Sequence, residues 1–474
     1  MDTLQFAAAV VGALPFEPTN QQIELIAALA RFCSSTTPSD TVFILNGYAG
    51  TGKTSVTGAL VKSLPLIGLK ATLLAPTGRA AKVLASHAGH PAWTIHRRIY
   101  RHASPGSRQQ EITGIAENRA INTIFIVDEA SMIAAADTAT GGNLLEDLIH
   151  YVYSGTNCRL ILSGDTAQLP PPGSSESPAM SPATLKAMGL HVVRATITKT
   201  VRQSTRSGIL YNATRLRRDM LLDPIPRPTL VAAPFSDVKV TDAEDLQDAL
   251  EASYAQHGTG NTLLITRSNK RAVQFNLAIR ADILDYEVEL VKGEQLMIAK
   301  NNYYWTRDIK GLDFIANGEI AIVEHIYGTE THLGGIRYAD VRLKLADHDI
   351  ALDAKIMLSS LTSEAPSLDP DLARRHHDAL LDNRAMFTPD TPYSTRMARL
   401  KDDPHFNALQ VKYAYAVTCH KAQGGQWDSV FIDMAMIQPE ALTTTDFYRW
   451  LYTATTRAVS TVTYISPDED SIKP

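Results

Sequence analysis

Short runs of β-branched and aliphatic residues recur along the chain and end in small or polar residues, at 41–45, 72–74, 123–127, 159–162, 262–265, 413–417, 430–433 and 461–465. Between several of them the apolar positions repeat at helical spacing, as in 55–64, 80–88 and 143–153. Continuous apolar strands alternating with helices predict parallel sheets covered on both faces. The alternation occurs once before about residue 190 and once after, so the pattern predicts two α/β domains. Two segments break it. Residues 97–122 are basic and carry the turn Ala103-Ser104-Pro105-Gly106, which suits a hairpin inserted between strands. Residues from about 291 to 407 hold strand-like pieces followed by a Pro- and Asp-rich tract, read as a small β-barrel-like insertion with a partly irregular extension.

Composition narrows the class. The 474 residues are 45% hydrophobic and 20% charged, enough for a sizeable core and unlike collagen, coiled coil or wholesale disorder. The longest apolar stretch, 6–16, is too short to span a bilayer and has no basic segment before it, so neither signal peptide nor membrane anchor is expected. Cys33, Cys158 and Cys419 are scattered, with neither disulfide nor zinc spacing, which suits a reducing cytoplasm. The net charge of −5 argues against a polyanion partner until its distribution is considered. Residues 41–110 contain no Asp or Glu but include Lys53, Lys62, Lys70, Arg79, Lys82, Arg97 and Arg98; residues 194–218 are likewise free of acids. Such stretches give nucleic acid a local footprint.

The chemistry begins at Gly47-Tyr48-Ala49-Gly50-Thr51-Gly52-Lys53-Thr54, a complete GxxxxGK[ST] loop between an apolar strand and a helix. Its glycines let backbone N–H groups turn inward around phosphate oxygens at a helix N-terminus. Lys53 neutralises β- and γ-phosphate charge, and the Thr54 hydroxyl suits Mg²⁺. Asp128-Glu129 closes another apolar strand, 75 residues beyond Lys53. An acid there sits on the crevice where α/β sheets bind ligands. Asp128 is the second candidate for Mg²⁺, and Glu129 the base that polarises an attacking water. Alone, that acidic pair reads equally as a helix cap. Gln168, after the third strand, is placed to sense the γ-phosphate, whereas Asp165 taken singly reads as a turn residue.

The order of these pieces resembles the superfamily 1B helicases of the RecD/Dda branch, over nearly the whole chain. Pro18-Thr19-Asn20-Gln21-Gln22 resembles the adenine-reading Q motif, with Gln22 as base contact. Ala75-Pro76-Thr77-Gly78-Arg79 resembles motif Ia and Thr94-Ile95-His96 motif Ib. Val127-Asp128-Glu129-Ala130-Ser131 corresponds to motif II, and Leu162 to Pro170 to motif III. Thr200-Val201-Arg202-Gln203 resembles motif IV, Val417-Thr418-Cys419-His420-Lys421-Ala422-Gln423-Gly424 motif V, and Tyr452 to Ala458 motif VI. Asn276 to Arg280 and Asn317-Gly318-Glu319 match pieces flanking the family's SH3-like insertion. Motif V departs at Gly425-Gln426, where many relatives have Ser and Glu, and motif III runs into Pro170-Pro171-Pro172.

The resemblance implies an α/β fold of two RecA-like parallel-sheet domains: 1–190 with a pin hairpin at 97–122, then 191–300 with 408–474, and an SH3-like barrel at 301–407. It implies Lys53, Asp128, Glu129, Gln168, Arg202 and Arg457 as the catalytic set. ATP would meet Gln22, Gly47, Ala49, Gly50, Thr51, Gly52, Lys53, Thr54 and Gly424, with Mg²⁺ on Thr54 and Asp128. Single-stranded DNA would meet Pro76, Thr77, Arg79, Thr94, His96, Asn276, Thr418, His420 and Lys421. Candidate stacking platforms are Trp93, Tyr100, Tyr303, Tyr304, Trp305 and Phe314, and Tyr100 and His102 are choices for the working face of the pin. The expected activity is ATP-driven unwinding from 5′ to 3′, on single strands and forked duplexes. The expected protein is a cytoplasmic, nucleoid-associated monomer, with single-strand-binding, replication or recombination proteins as candidate partners. The alternatives are a translocase that strips proteins from DNA, a 3′ to 5′ helicase, and a nucleotide-binding regulator or kinase with no nucleic-acid role. The space between His96 and Asp128 is too short for the large insertion of the 3′ to 5′ branch.

Overall fold

A computed structural model describes residues 1–100, 114–134, 142–199, 207–309, 312, 314–346, 348 and 350–473. Thr200-Val201-Arg202-Gln203, His102 and the turn Ala103-Ser104-Pro105-Gly106 lie outside the described residues. The described chain divides into two compact units, one of residues 1–100, 114–240 and 422–473, the other of residues 241–309 and 312–421.

The first unit is built on a six-stranded parallel sheet. Its strands are β1 (Thr41–Gly47), β2 (Lys70–Ala75), β3 (Ala92–Thr94), β4 (Thr123–Val127), β5 (Arg159–Gly164) and β6 (His191–Ile197), in spatial order β3-β2-β4-β5-β1-β6. Around it lie α1 (Thr3–Gly12), α2 (Asn20–Phe32), α3 (Lys53–Ser63), α4 (Gly78–Ala88), α5 (Ile95–Ile99), α6 (Leu144–Tyr153) and α7 (Pro182–Ala187). Strand side chains alternate between two buried faces. Ile124 and Ile126 join the core formed with Phe6, Leu25, Val56 and Leu84 from α1 to α4. Phe125, between them, meets Tyr151 of α6 edge-on at 5.9 Å. Burial on both faces explains why β1, β4 and β5 are wholly apolar or buried along their length. The sheet is parallel throughout and covered by helices, the α/β architecture expected of this part of the chain.

After α8 (Gly208–Asp219), β7 (Leu230–Val231) and β8 (Val238–Thr241), the chain enters the second unit. There α9 (Leu246–His257), β9 (Thr262–Thr266) and α10 (Asn269–Ala278) precede a closed five-stranded barrel: β10 (Gln295–Ile298), β11 (Ile320–Thr331), β12 (Arg337–Leu345), β13 (Ile350–Met357) and β14 (Leu409–Tyr413). The tract expected to be partly irregular contains two helices, α11 (Pro370–Leu381) and α12 (Tyr393–Leu400). Their apolar stripes close a small core of Leu380, Phe387 and Leu400. The run 413–417, expected as one strand, is two. Tyr413 ends β14 in the barrel, and β15 (Ala416–Thr418) pairs in parallel with β9. The break at Ala414 and Tyr415 is held by Ala414 N–H on the Gln295 carbonyl (3.0 Å) and Leu264 N–H on the Tyr415 carbonyl (3.0 Å).

The turn α13 (Cys419–Ala422) leads back to the first unit, which holds β16 (Trp427–Asp433), α14 (Thr445–Thr455), β17 (Ala458–Ile465) and β18 (Ile472–Lys473). Strands β16 and β17 are parallel, and β18 pairs with β7. Among the described residues no helix is long and apolar enough to cross a membrane. Cys33, Cys158 and Cys419 are buried, and burial pushes the Cys33 thiol up to about 12.

Candidate nucleotide site

The phosphate loop leaves β1 at Gly47 and enters α3 at Lys53. Two of its glycines turn it: Gly50 (φ 73°) and Gly52 (φ 82°) occupy the left-handed region that side chains resist, and Gly52 caps α3. Close approach fixes Gly47 instead, since a Cβ there would stand 2.7 Å from both Ile197 Cγ1 and Lys53 Cγ. The Lys53 ammonium folds back to donate to the carbonyls of Gly47 and Tyr48, the latter at 3.3 Å. It therefore lies over its own loop, at the end of the helix where the unpaired N–H groups collect an anion. Gln22 is fully buried. Its carbonyl oxygen accepts the Thr19 N–H (2.9 Å) in the capping box of α2, and its amide donates to the Thr51 carbonyl (3.0 Å), which ties α2 to the loop.

The acids arrive from neighbouring strands. Asp128 follows β4 and accepts the Ser163 hydroxyl at 3.0 Å. Glu129 sits in left-handed backbone (φ 51°, ψ 34°), a strained conformation for a side chain of its size. Burial raises its carboxyl above the usual carboxylate range, and Asp128 and Asp165 push the same way while Arg457 and Lys53 pull it back. Asp165 acts as the expected turn residue through the Ala167 N–H (2.9 Å) but also accepts the Tyr452 hydroxyl at 2.6 Å. That hydroxyl in turn accepts the Ala49 N–H of the phosphate loop at 3.0 Å. Thr453 Oγ1 accepts the Leu169 N–H (2.9 Å), and the Gln423 amide donates to the Leu169 carbonyl (2.8 Å). These bonds hold residues 422–473 in the same compact unit as the loop. Tyr452 and Thr453 belong to the motif VI stretch, and nothing near them in sequence announces their partners.

Arg457 is 4% exposed. Its guanidinium donates to the carbonyls of Thr453 (3.1 Å) and Gly425 (3.3 Å) and to Thr456 Oγ1 (3.2 Å), which orients it from behind. Lys53, Asp128, Glu129, Gln168, Gly424 and Arg457 line one cavity of about 810 Å³, together with Ala49, Gly50, Gly52 and Thr54. A cation pair, a carboxylate pair and a row of loop N–H groups around one space suit a triphosphate. The hydroxyl of Thr54 and the carboxylate of Asp128 form a hard-oxygen donor pair of the kind Mg²⁺ accepts. Among the described residues no group of three or more His, Cys, Asp or Glu side chains forms a metal cluster.

The expected strand contacts divide between the units. In the first, Thr77 and Thr94 cap α4 and α5 through the N–H groups of Ala80 and Arg97 (3.2 Å each), and Pro76 and His96 adjoin those caps. Arg79 lies over the Trp427 ring at 3.9 Å and donates to the Gln426 carbonyl at 3.3 Å. Gly425 is obligatory beside that stack, because a Cβ would come within 2.5 Å of the Trp427 ring. In the second unit, Asn276 spends its amide inside the fold, donating to Ala272 and Ala416 (2.8 Å each) and accepting from Tyr415 (3.0 Å) and Ala416 (2.9 Å). Thr418, His420 and Lys421 follow at the end of β15, where burial lowers the Lys421 ammonium to about 8. Of the candidate platforms, Tyr100 is core and donates to Asp147 at 2.7 Å, and Phe314 is buried and stacked on Tyr303 at 5.1 Å.

An AAA domain model matches residues 20–220, and a UvrD-like helicase C-terminal domain model matches residues 413–463. The ATP-dependent RecD2 DNA helicase of Deinococcus radiodurans is 36% identical over 128 residues, covering 27% of this chain and 16% of that protein. An uncharacterized protein of Methanocaldococcus jannaschii is 35% identical over 151 residues, 28% of this chain and 12% of that protein. The chain thus spans under a fifth of the length of either curated relative. A Bacteroides Pif1 helicase structure, in complex with ADP-AlF3 and single-stranded DNA, aligns over 97% of this chain and 95% of that one at 15% identity and TM-score 0.48.

Proposed function

We propose that this chain is a superfamily 1B helicase of the RecD type, an ATP-driven motor that moves 5′ to 3′ on single-stranded DNA and unwinds forked duplexes; the AAA and UvrD-like helicase matches and the RecD2 likeness support the reading. The observation that carries the reading is the shared cavity of Lys53, Asp128, Glu129, Gln168 and Arg457. In this mechanism the Lys53 ammonium exchanges the loop carbonyls for phosphate oxygens when ATP enters. Glu129 takes a proton from the attacking water, and its burial keeps it basic enough to do so near neutrality. Arg457, already oriented by Thr453 and Gly425, stabilises charge growing on the γ-phosphoryl oxygens. Thr54 and Asp128 would hold Mg²⁺, which supplies charge neutralisation on the phosphates when bound. Arg202 is the second arginine of the reading.

The motor reading assigns residues 1–190 and the pair 191–300 with 408–474 to two RecA-like domains, with the hairpin at 97–122 as pin and the barrel as an SH3-like module. The parallel pairs β9–β15 and β16–β17 support the second domain. The protein acts as a cytoplasmic, nucleoid-associated monomer, gripping the strand by phosphate contacts from Thr77, Arg79, His96, Thr418, His420 and Lys421. The test is ATP-dependent unwinding of duplexes with a 5′ tail, a 3′ tail or blunt ends. Unwinding of the 5′-tailed substrate alone supports the proposal; unwinding of the 3′-tailed one reverses the polarity. ATPase stimulated by single strands, with protein displacement but no strand separation, favours the translocase. An ATPase rate indifferent to DNA returns the chain to a nucleotide-binding regulator.

A further inference from the structure

A second cavity of about 350 Å³ adjoins the phosphate loop. Tyr48 and Gln168 line both it and the nucleotide cavity, so these two side chains form the partition between them. Three guanidinium groups, of Arg194, Arg217 and Arg449, line the second cavity. Arg217 lies flat over the Tyr48 ring, 3.9 Å from its centroid, and Arg449 is braced by donating to the Ser175 carbonyl at 2.6 Å. Ser131 and Gln168 are 1% and 5% exposed, yet Ser131 Oγ and Gln168 Oε1 are buried with no hydrogen-bond partner among the described residues, as is Arg449 Nε. All three of those residues line this cavity. Buried polar atoms are rarely left unpaired, and each one here calls for a polar occupant. A water satisfies such atoms singly, whereas three arginines around one space match an oxyanion. Two acids also line the cavity. Asp165 already accepts from Ala167 and Tyr452, which leaves Glu176 able to accept a proton-bearing oxygen.

We propose that this cavity receives inorganic phosphate, the product of hydrolysis, past the partition of Tyr48 and Gln168. The inference rests on the reading that the adjoining cleft cleaves ATP. Hydrolysis breaks the bond between the γ-phosphorus and the bridging oxygen, which stays with ADP. It forms a bond from the water oxygen to that phosphorus, and the water's proton passes to Glu129. The freed hydrogenphosphate then lies beside Gln168, which borders both spaces, and its one hydroxyl donates to the Gln168 Oε1 acceptor. Phosphate thereby leaves while ADP still occupies the glycine loop, so the two products separate in a fixed order.

The test uses the full chain, wild type and the variants Arg194→Gln and Arg449→Gln, with radiolabelled inorganic phosphate in equilibrium dialysis against protein saturated with a non-hydrolysable ATP analogue. Arg194 lines the cavity but is exposed, so its variant keeps the fold, which thermal melting checks. Phosphate bound alongside the analogue, and weakened roughly tenfold by either substitution, supports the site. Phosphate displaced by the analogue, or indifferent to both substitutions, overturns it. With ATP, chemical quench measures cleavage and a fluorescent phosphate sensor measures release. The variants are expected to keep the cleavage rate and alter release about fivefold or more, and equal effects on both steps overturn the exit role. A wild-type chain that cleaves no ATP refutes the proposed function, while the dialysis still decides whether phosphate binds.

Discussion

The Tyr452 hydroxyl donates to the Asp165 carboxylate at 2.6 Å, and Asp165 is 1% exposed. By accepting the Ala49 N–H as well, that hydroxyl fastens the last helix of the first unit to both motif III and the phosphate loop. Burial first, then the Asp165 charge, raises the phenol well above its ordinary range, so it remains a donor throughout the working pH. Tyr452→Phe removes the donor from a buried carboxylate. A hydrogen bond to a charged group contributes about 1.5–3 kcal/mol, and the expected loss of stability in urea denaturation is of that size. ATPase kcat is expected to fall roughly tenfold because Ala49 loses its anchor. Wild-type stability and turnover in this variant would mean the contact fastens nothing.

Glu129 is the proposed base, so its variant should separate binding from chemistry. Glu129→Gln is expected to retain ATP-analogue affinity while kcat falls by about 10² or more. The pH profile follows from the sign of the shift. Burial raises the carboxyl above its ordinary value, so the base becomes protonated, and kcat declines, at a pH higher than an ordinary glutamate would give. Arg457→Ala removes a charge that lowers this carboxyl, and residual turnover in that variant should lose activity at a still higher pH. A profile unmoved by Arg457→Ala would detach the two residues. Lys53→Ala should abolish turnover with the fold retained.

The glycine loop and the motif II acids were legible because each is contiguous, and one strand–turn–helix unit determines its geometry. β6 was not anticipated, because a strand that among the described residues pairs with β1 alone keeps polar, exposed positions such as His191 and Arg194 and so lacks an apolar run. Tyr452 and Asp165 stand 287 residues apart, and no local period couples them. Asn276 illustrates the opposite limit. A polar residue in a recognisable motif reads as a DNA contact, but its amide bridges α10 to β15 within the second unit. The two helices of the extension were hidden by their prolines and aspartates, which sit at helix starts, Asp369 capping α11 with Pro370 behind it.

Inside the second unit Arg280 meets Glu294 with both side chains nearly sealed from solvent, 6% and 0% exposed. Two nitrogens face the carboxylate at 3.0 Å, Tyr415 donates to it at 3.0 Å, and the guanidinium lies 4.3 Å from the Tyr413 ring centroid. Breaking such a pair leaves a buried charge, at a cost of about 3–5 kcal/mol. Arg280→Met is therefore expected to unfold the barrel unit well before wild type in urea. Arg280→Met with Glu294→Leu should recover much of the loss, since the stranded charge is gone. A single variant as stable as wild type would show the carboxylate to be protonated and content alone.

His376 joins α11 to the barrel by a 2.5 Å hydrogen bond with the Tyr338 hydroxyl, and Tyr338 is itself buried in β12. Burial, with the charges of His332 and His405 adding to it, lowers His376 to about 4 from its ordinary 6.5. The folded state thus keeps the ring neutral where the unfolded chain has begun to protonate it. Between pH 6.5 and 4 the unfolded chain binds the additional proton, so stability falls as pH falls through that window and levels below it. Charged groups facing the ring complicate the total: burial also lowers His332, whereas Asp403 and Glu330 raise His405. The comparison that isolates His376 is His376→Asn, whose uncharged amide fits the same hydroxyl. Urea midpoints measured from pH 8 to pH 4 should slope less in the variant than in wild type between pH 6.5 and 4, and the two should run parallel above pH 7. Parallel slopes across the window would place the acid sensitivity elsewhere, in His332, which burial also lowers and which stacks 4.1 Å from His405, whose raised value works in the opposite direction.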